Sequence, residues 1–482
     1  MIEIESIILE EFTMKKQAFN PYLPSWEYTP DCEPYVFDGR VYVYGSHDRF
    51  NSMMYCLNDY VCWSAPVEDL GDWRYEGVIY KKTQDPENES GRGCLYAPDV
   101  TVGPDGRYYL YYVLNCKPFV SVAVCDTPAG QYEFYGYVHD KEGRRIGERP
   151  GDIGHFDPGV LTEGNRCYLY TGFCQAADTS RKGSMVTVLG PDMLTVEEET
   201  KILVPSAPYS QGSGFEGHEF FEASSIRKVK DTYYFIYSSI KFCELCYATS
   251  KSPTEGFQYG GVIIANNDVH IDTYKKAERA TYFGGNNHGS IIEINGQWYI
   301  FYHRHTNGSN FSRQDCIEKI TILEDGSIPQ VEMTSCGAND GPLVGKGEYP
   351  AYIACNLFAK QEAAYTGWEW MPPEFPKITQ DGSDGQETPG YICNMKDGTC
   401  AGFKYFDCKG LKEISVQMRG YGNGEMQIRT ELEGEVCGSV AIHSTTTWEN
   451  YVAQVTIPDG VHALYFTFVG SGFTCMNSFE LR

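Results

Sequence analysis

Alternating apolar and polar positions recur along the first two thirds of the chain. Five segments share one form, a polar turn followed by an aromatic strand: DGRVYVYGS (38–46), DGRYYLYYV (105–113), GNRCYLYTG (164–172), KDTYYFIYS (230–238) and NGQWYIFYH (295–303). One tyrosine at the matching place in each strand gives separations of 67, 59, 66 and 65 residues, at Tyr42, Tyr109, Tyr168, Tyr234 and Tyr299. A repeat of about 60 residues made of short strands is typical of β-propeller blades, so five units predict five blades. The region shows no alternation of strands with helices, which argues against an α/β fold.

An ionisable side chain precedes each repeated strand at nearly the same distance. It stands 10 to 12 residues before the tyrosine of its repeat, and the five are Asp31, Asp99, Asp157, Glu222 and His288. Equivalent positions in a propeller are related by rotation about the central axis, so we expect the five side chains to converge on one pocket. A single aspartate before a strand is commonly only a turn residue that accepts backbone hydrogen bonds. Five at matching offsets, in apolar surroundings such as YAPDV and HFDPGV, favour a functional ring.

The pattern changes after the Gly-rich segment TSCGANDGPLVGKG (334–347). Residues 350–482 contain short alternating strands, and no ring of acids recurs there. Strands of this kind, separated by turn signals, are typical of a jelly-roll β-sandwich. We therefore predict an all-β chain with an N-terminal extension (1–19), a five-bladed β-propeller (20–340) and a jelly-roll β-sandwich (341–482).

Composition and charge narrow the classes of partner. Aromatic residues make up 14% of the 482 residues, with 37 tyrosines, which favours β structure and flat ligands such as sugars. The formal net charge of −26 would repel nucleic acid and anionic membrane surfaces, so we expect neither as a partner. The sequence contains no run of about 20 apolar residues, so we predict no membrane-spanning helix. The oligomeric state is left open.

The 18 cysteines show no disulfide framework. Twelve precede residue 340 and six follow it, and the one close pair, Cys243-x-x-Cys246, lacks a second pair that would complete a zinc site. Free thiols predict a reducing compartment, and the first residues show no secretory segment. We therefore expect a cytoplasmic protein.

Carboxyl groups from different blades can hydrolyse a glycosidic bond. The reaction needs a proton for the leaving oxygen and, for inversion, a base that activates water, with the two carboxyl groups ~6.5–9.5 Å apart. The acid must keep its proton near neutral pH, and a neighbouring carboxylate raises its pKa by repulsion. One base, one acid and one modulator would meet these demands.

The motifs YTPDCEPYVF, YAPDV, HFDPGVL, FFEASSIRK and NNHGSIIEINGQWYIFYH, in this order, resemble glycoside hydrolase family 43 over about residues 20–335. The resemblance implies a five-bladed propeller that removes arabinose or xylose from plant polysaccharides with inversion. By position, it implies that Asp31 is the general base, Asp157 the pKa modulator and Glu222 the general acid. It further implies that Asp99, His288 and Arg313 contact the substrate. No cofactor is expected for the reaction, but the resemblance leaves open a structural calcium beside His288, near the propeller axis.

The sequence leaves several assignments open. Glu33 competes with Asp31, because the sequence reads DCEP where the family commonly has DP, and Glu216 and Glu219 compete with Glu222, whose motif reads EAS in place of EGP. Arg313 fits a surface position on a strand nearly as well as a place in the pocket. His47 and Asp48 could be polar residues that support the pocket from behind, but we expect them to be ordinary turn residues. Trp73 and Phe215 are sugar-stacking candidates that we expect to be core residues.

The expected activity is that of an inverting exo-glycosidase. Its substrates would be arabinose- or xylose-containing oligosaccharides from arabinoxylan or xylan, from which it removes α-L-arabinofuranosyl groups, β-D-xylosyl groups or both. An endo-acting arabinanase and a non-catalytic sugar-binding propeller are the two competing functions. The tail IPDGVHALYFTFVGSGFTCMNSFEL is similar to the end of family 6 carbohydrate-binding modules. Trp368 and Trp370 could form a sugar platform there, but we expect them to pack against the propeller.

Overall fold

A computed structural model describes residues 17–360 and 371–482 of the chain. This part is built from 31 β-strands and four short 3-10 turns, and it contains no α-helix. Among the described residues, no helix has the length and apolar character needed to cross a membrane. Trp368, Trp370 and most of the expected N-terminal extension lie outside the described residues. The turns are Lys82–Gln84, Pro86–Asn88, Ala207–Tyr209 and Ala351–Ile353.

Five antiparallel sheets follow one another along the chain, and each pairs its strands in sequence order. The first blade contains β1 Glu33–Phe37, β2 Arg40–Tyr44, β3 Tyr60–Pro66 and β4 Arg74–Tyr80. The second contains β5 Leu95–Val102, β6 Tyr108–Leu114, β7 Ser121–Cys125 and β8 Glu133–Tyr137. The third contains β9 Gly159–Glu163, β10 Arg166–Thr171, β11 Gly183–Leu189 and β12 Val196–Pro205. The fourth contains β13 Phe220–Val229, β14 Thr232–Ser239, β15 Glu244–Ser250 and β16 Gln258–Ala265. The fifth has three strands, β17 Ile291–Ile294, β18 Gln297–His305 and β19 Arg313–Ile320.

The prediction of five blades is confirmed, and the repeat has a simple structural meaning. Each of the five repeat tyrosines lies in the second strand of its blade: β2, β6, β10, β14 or β18. All five side chains are at most 9% exposed, because the space between neighbouring blades is filled by apolar residues of both. Val41 and Val43 of the first blade share a core with Phe301 and Ile317 of the fifth, which closes the ring. The inner strands β1, β5, β9, β13 and β17 bring the segments before them to the axis.

Two further sheets form the C-terminal part. The first contains β20 Leu343–Val344, β22 Asn356–Phe358, β25 Thr399–Cys408, β27 Asn423–Arg429, β28 Gly438–Ile442 and β30 Gly460–Ser471. The second contains β21 Gly347–Pro350, β23 Lys377–Thr379, β24 Tyr391–Met395, β26 Glu413–Gly420, β29 Thr445–Gln454 and β31 Thr474–Leu481. Apolar side chains from both sheets, such as Phe403 and Phe479, meet in one core, as the predicted β-sandwich requires.

The sandwich packs directly on the fourth and fifth blades. One apolar core continues from blade residues such as Ile236 and Ile300 into the sandwich. Buried Arg304 of β18 donates from Nη1 to the carbonyl oxygen of Ala354 at 2.8 Å and from Nη2 to that of Tyr352 at 2.6 Å. A continuous core with charged hydrogen bonds at its border holds the two parts together.

Candidate active site

The axial pocket gathers four of the five ring residues. Asp31, Asp157, Glu222 and His288 line a cavity of about 260 Å³, together with Arg313. Its walls also include the aromatic side chains of Tyr55, Tyr96, Phe156 and Phe173. A small, partly apolar cavity with a few convergent polar groups is the usual form of a small-molecule site. The ring predicted from the repeat therefore exists, with one exception.

The exception is Asp99, which is not among the described residues that line the pocket. It is fully buried in β5, where Oδ1 accepts hydrogen bonds from the Tyr35 hydroxyl and from the N–H of its strand neighbour Val100, both at 2.7 Å. Its Oδ2 accepts from the backbone N–H of Val160 at 2.7 Å, which ties the second blade to the third. The contacts of Asp99 are thus structural, unlike the substrate contact that the resemblance implied.

Asp31 is held in place by the Arg313 cation through its side chain and by His303 through its backbone N–H. It lies just before β1 with φ of +65°, a left-handed conformation that turns the side chain out of the strand direction. Its Oδ1 accepts from Arg313 Nη1 at 2.9 Å and lies 3.3 Å from His303 Nδ1. The His303 Nε2 faces the carbonyl oxygen of Asn286 at 2.7 Å, so Nε2 carries the ring proton and Nδ1 accepts from the Asp31 N–H at 3.4 Å. Burial lowers the pKa of His303 well below its usual value, so this ring is neutral.

Arg313 is fixed from behind by Asp48. The Arg313 Nε and Nη2 donate to Oδ2 and Oδ1 of Asp48 at 2.9 and 3.0 Å, a bidentate pair, and both side chains are almost fully buried. Asp48 also accepts from the backbone N–H groups of Arg313 and Cys56. The preferred interpretation of Asp48 as an ordinary turn residue is therefore wrong, and the alternative of a supporting polar residue fits its contacts. The GSHD segment at the end of β2 carried the residue, but no spacing signal linked it to Arg313, which lies 265 residues further on.

Asp157 lies where the third and fourth blades approach closely. Its φ is +44°, and its Oδ2 accepts from the backbone N–H of Ala223 at 3.1 Å. Close approach is possible because residue 159 is glycine: a Cβ there would lie 2.4 Å from the carbonyl oxygen of Ser224. Burial first, and then the charges of Glu222 and Asp31, raise the pKa of Asp157 well above its usual value.

Glu222 has the properties of a proton donor at neutral pH. It lies in β13, where the pairing with β14 shifts register on both sides of it, and Ala223 after it has φ of +66°. Burial, followed by the negative charge of Asp31, raises the pKa of Glu222 to about 8, and the nearby Arg313 opposes this rise. The left-handed backbone at Ala223 explains why glycine suits this position, as in the EGP form of the motif.

His288 and Glu33 face each other on the axis beneath the pocket. His288 Nε2 lies 4.0 Å from Glu33 Oε1, both atoms are buried, and neither has a hydrogen-bond partner among the described residues. Burial lowers the pKa of His288, so the ring is neutral and one nitrogen can accept or bind a cation. Glu33 Oε2 accepts hydrogen bonds from Arg227 Nη2 at 2.6 Å and from the Ser225 hydroxyl at 3.2 Å. Glu33 is therefore engaged on the axis, and Asp31, its competitor in the sequence, reaches the pocket.

The two glutamates that compete with Glu222 lie outside the pocket, and so do the two sugar-stacking candidates. Glu216 is exposed and accepts from Gly212 and Gly214, while buried Glu219 accepts from the Ser210 hydroxyl. Phe215 is a core residue that packs on Tyr237 and Tyr259, and Trp73 is partly buried against Tyr22 at the edge of the core, so both pack as structural residues. The aromatic walls of the pocket were not identified from the sequence, because aromatic residues are too frequent in this chain to single out a few.

The ion pair of Asp31 and the raised pKa of Glu222 suit hydrolysis by two carboxyl groups. Asp31 is an ion-paired carboxylate that can take a proton from water, and Glu222 is a carboxylic acid that can give one to a leaving oxygen. Asp157 adds a third carboxyl group that interacts with Glu222, and two interacting carboxyl groups release their protons in steps that belong to the pair. The ionisable lining residues come from four different blades, so the whole ring must be closed for the site to exist.

Known proteins resemble the chain over the same region. The model for glycosyl hydrolases family 43 matches residues 20–328. A xylosidase/arabinosidase from Thermoclostridium stercorarium is 69% identical over 470 residues, which cover 97% of this chain and 99% of that protein. An arabinoxylan arabinofuranohydrolase from Paenibacillus polymyxa is 26% identical over 503 residues, covering 93% of this chain and 72% of that protein.

Solved structures show the same architecture. A family 43 arabinoxylan arabinofuranohydrolase from Bacillus subtilis, in complex with cellotetraose, superposes with a TM-score of 0.51 at 21% identity and covers 96% of this chain and 97% of its own. A family 43 β-xylosidase/α-arabinofuranosidase from a compost metagenome, in complex with xylotriose and in a calcium-free form, has a TM-score of 0.51 at 25% identity and covers 66% of this chain and 98% of its own. The matched region contains the whole propeller and its acidic pocket, and the chain is therefore a glycoside hydrolase that belongs to glycosyl hydrolases family 43.

Proposed function

We propose that the protein removes terminal α-L-arabinofuranosyl or β-D-xylosyl groups from arabinoxylan- or xylan-derived oligosaccharides, with inversion of configuration. The observation that carries the proposal is the pairing of the ion-paired carboxylate Asp31 with the protonated Glu222 in one small pocket. The name of the 69% identical relative, xylosidase/arabinosidase, supports both sugars as substrates. The two sugars present similar hydroxyl groups, so one pocket can accept both.

The proposed mechanism has a single displacement. Arg313 occupies Oδ1 of Asp31, and the other oxygen, Oδ2, takes a proton from a water molecule as that water attacks the anomeric carbon. The Glu222 carboxyl group protonates the leaving oxygen at the same time. Asp157, fixed by the Ala223 N–H, is assigned the role of pKa modulator, because its carboxyl group interacts with that of Glu222. Arg313, His288 and the aromatic walls position the sugar ring.

The size of the pocket favours exo action. A cavity of about 260 Å³ lies below the ~300–1,000 Å³ that is typical for drug-sized ligands, so it suits one terminal sugar ring. An endo-acting arabinanase would need an open cleft that accepts sugar units on both sides of the cleaved bond. Exo action is therefore preferred over arabinanase activity.

The reaction as proposed needs no cofactor, because the two carboxyl groups supply both proton transfers. A calcium ion on the axis would be held by His288 Nε2 and Glu33 Oε1. These are only two of the six to eight mostly oxygen ligands that calcium takes, so water would complete its shell. Such an ion would add positive charge beneath the pocket. The cytoplasmic location expected from the sequence is part of the proposal, and it is supported by the 18 cysteines, all described and all unpaired.

Proton NMR of the first-formed product tests the proposal. The enzyme is mixed with arabinoxylan oligosaccharides and with aryl arabinofuranosides and xylosides, and the anomeric signals are followed from the first seconds. The expected result is free arabinose or xylose of inverted configuration, with no release from the oligosaccharides by a Glu222→Gln control. Retained configuration would contradict the mechanism. Internal cleavage of linear arabinan without monosaccharide release would contradict exo action.

A further inference from the structure

A second cluster of ionisable side chains lies in the fourth blade, outside the pocket. Glu244 and Cys246 are two residues apart in β15 and therefore point to the same face of the sheet. His218, from the loop before β13, places its Nδ1 2.9 Å from Glu244 Oε2 and 3.9 Å from Cys246 Sγ. The thiol is 3.8 Å from the same carboxylate oxygen. Glu244 therefore lies close to both Cys246 and His218. Sequence spacing could not have connected His218 with the CELC segment, residues 243–246.

These three atoms have nearly the spacing of ligands around a tetrahedral zinc ion. Zinc bonds of ~2.3 Å to sulfur and ~2.0–2.1 Å to nitrogen or oxygen give edges of about 3.5 Å to sulfur and about 3.3 Å between the lighter atoms. The observed distances are 3.9 Å from Sγ to Nδ1, 3.8 Å from Sγ to Oε2 and 2.9 Å from Nδ1 to Oε2. Each differs from the ideal value by less than about 0.5 Å. Among the described residues, this is the one group of three potential ligands that meets in this way. Small side-chain rotations would bring the three atoms to bonding distance.

The surroundings support a metal-binding arrangement. The His218 ring stacks on Tyr259 with centroids 5.0 Å apart, which fixes the plane of the imidazole. The second carboxylate oxygen of Glu244, Oε1, is 2.7 Å from His270 Nε2 and 3.4 Å from Lys241 Nζ, and outer contacts of this kind orient a ligating carboxylate. His218 is about one quarter exposed, so an ion can enter from solvent and keep a water as its fourth ligand.

We propose that His218 Nδ1, Glu244 Oε2 and Cys246 Sγ form a binding site for a divalent transition metal of the zinc type. Thiolate, imidazole and carboxylate together select zinc over the hard cations calcium and magnesium. Binding replaces the Cys246 S–H bond by a metal–sulfur bond and releases one proton to solvent. The ion would tie the loop that precedes β13, and so leads to Glu222, to the third strand of the blade. Its role is structural and separate from hydrolysis.

The competing interpretation is an ion-pair cluster that binds no metal. In that case Glu244 is satisfied by His218, His270 and the Ser239 hydroxyl, which donates to Oε2 at 2.9 Å, and Cys246 is an ordinary core thiol. The two interpretations differ in what a thiolate-sensitive metal probe reports.

Cobalt(II) is the probe that separates them. Chelator-treated, reduced protein is titrated with Co²⁺, and absorption is recorded for the thiolate-to-cobalt charge-transfer band and the visible d–d bands. The expected result is one equivalent of tetrahedral cobalt with a charge-transfer band, its displacement by Zn²⁺, and a rise in Tm with added Zn²⁺. Cys246→Ser should abolish the charge-transfer band, and His218→Gln should weaken binding at least tenfold.

Matched controls use residues far from the cluster. Cys116 is an exposed thiol, and His462 is a histidine of the sandwich, so Cys116→Ser and His462→Gln should bind cobalt like the unaltered protein. Absence of a charge-transfer band in the unaltered protein, or its survival in Cys246→Ser, would overturn the proposal. So would an unchanged affinity in His218→Gln. If Cys246→Ser fails to fold, the cobalt affinity of His218→Gln alone decides whether the site binds metal. None of these measurements depends on hydrolytic activity.

Discussion

Arg313 Nη1 lies 2.9 Å from Asp31 Oδ1, and this contact joins the fifth blade to the segment before the first. The same guanidinium donates hydrogen bonds to both carboxylate oxygens of Asp48. The position of the Arg313 side chain is therefore set by a residue that does not line the pocket. The orientation of the proposed base therefore depends on Asp48 through Arg313. Asp48 is therefore assigned a positioning role, whereas Asp31 is the group proposed to act on water.

Asp48→Asn is expected to reduce kcat by about 10- to 100-fold with little change in KM. An amide can accept only on one side, so Arg313 loses its bidentate partner and the base shifts from its productive place. Steady-state kinetics on an aryl arabinofuranoside, measured well below Tm, tests this. Asp72→Asn, a change at an exposed turn, is the control and should leave both constants as they are. A loss confined to KM would contradict the positioning role.

The pH profile of kcat/KM should have an alkaline limb near 8. Glu222 must be protonated to act, and its pKa is about 8, so activity falls as pH rises through that value. Glu222→Gln should remove activity on oligosaccharides while retaining far more of it on a dinitrophenyl glycoside, whose leaving group needs no proton. An equal loss on both substrates would remove Glu222 from the role of acid.

Asp157→Asn is expected to move the alkaline limb to lower pH. Asp157 and Glu222 are interacting carboxyl groups, and the upper step of such a pair lies above the pKa of either member when the other is neutral. Replacing Asp157 by a neutral side chain removes that upper step. The measurement is the kcat/KM profile of the variant on an aryl xyloside. A limb that stays in place would show that burial and Asp31 alone set the pKa of Glu222.

The raised pKa of Glu222 also predicts how stability depends on pH. The folded protein holds the Glu222 proton up to about pH 8, whereas the unfolded chain releases it near 4.5, so this group lowers the free energy of unfolding as pH rises between those values. Glu222→Gln removes that contribution. The variant's free energy of unfolding, relative to the unaltered protein, should therefore be higher at pH 8 than at pH 5 by an amount on the order of 1–3 kcal/mol. Denaturant unfolding at the two pH values measures it, and an equal difference at both would contradict the linkage.

Much of this arrangement was accessible from the sequence because a propeller converts a linear repeat into a ring. Matching offsets were enough to bring Asp31, Asp157, Glu222 and His288 together. Asp99 obeyed the same offset but pairs with Tyr111, two residues after its repeat tyrosine, whereas Glu222 pairs with Ser238, four residues after its own. Asp99 therefore binds the neighbouring blade's backbone. A register difference of one or two residues decides between the two outcomes, and offsets of 10 to 12 cannot resolve it.

Other features depend on contacts that no local pattern encodes. Asp48 meets Arg313, and His218 meets Cys246, only because strands and loops from separate parts of the chain fold together. Burial also decides between a surface position and a pocket position that the sequence leaves open for one residue. The sequence allowed Arg313 to be a surface residue of a strand, but its side chain is 2% exposed and lines the pocket.

Lys404 joins the sandwich to the propeller by a buried cluster. Its Nζ lies 3.2 Å from Asp268 Oδ2 and 3.0 Å from Glu332 Oε2, and the Lys404 and Asp268 side chains are fully buried. Lys404→Met would leave Asp268 as a buried charge without its cation, which costs about 3–5 kcal/mol when one partner of a buried pair is removed. Lys409→Met, at an exposed site just after β25, should have almost no effect.

Thermal unfolding of these variants, together with Asp268→Asn, separates charge from packing at this border. Lys404→Met should lower Tm by several degrees, and adding Asp268→Asn to it should recover part of the loss, because the stranded charge is then gone. An equal Tm for Lys404→Met and Lys409→Met would mean that the buried cluster contributes nothing to stability. No recovery in the double variant would instead assign the loss to packing, since Lys404 Nζ also lies 3.7 Å from the Tyr274 ring centre. Recovery would show that the border between the two parts is fixed by charge compensation in addition to the shared apolar core.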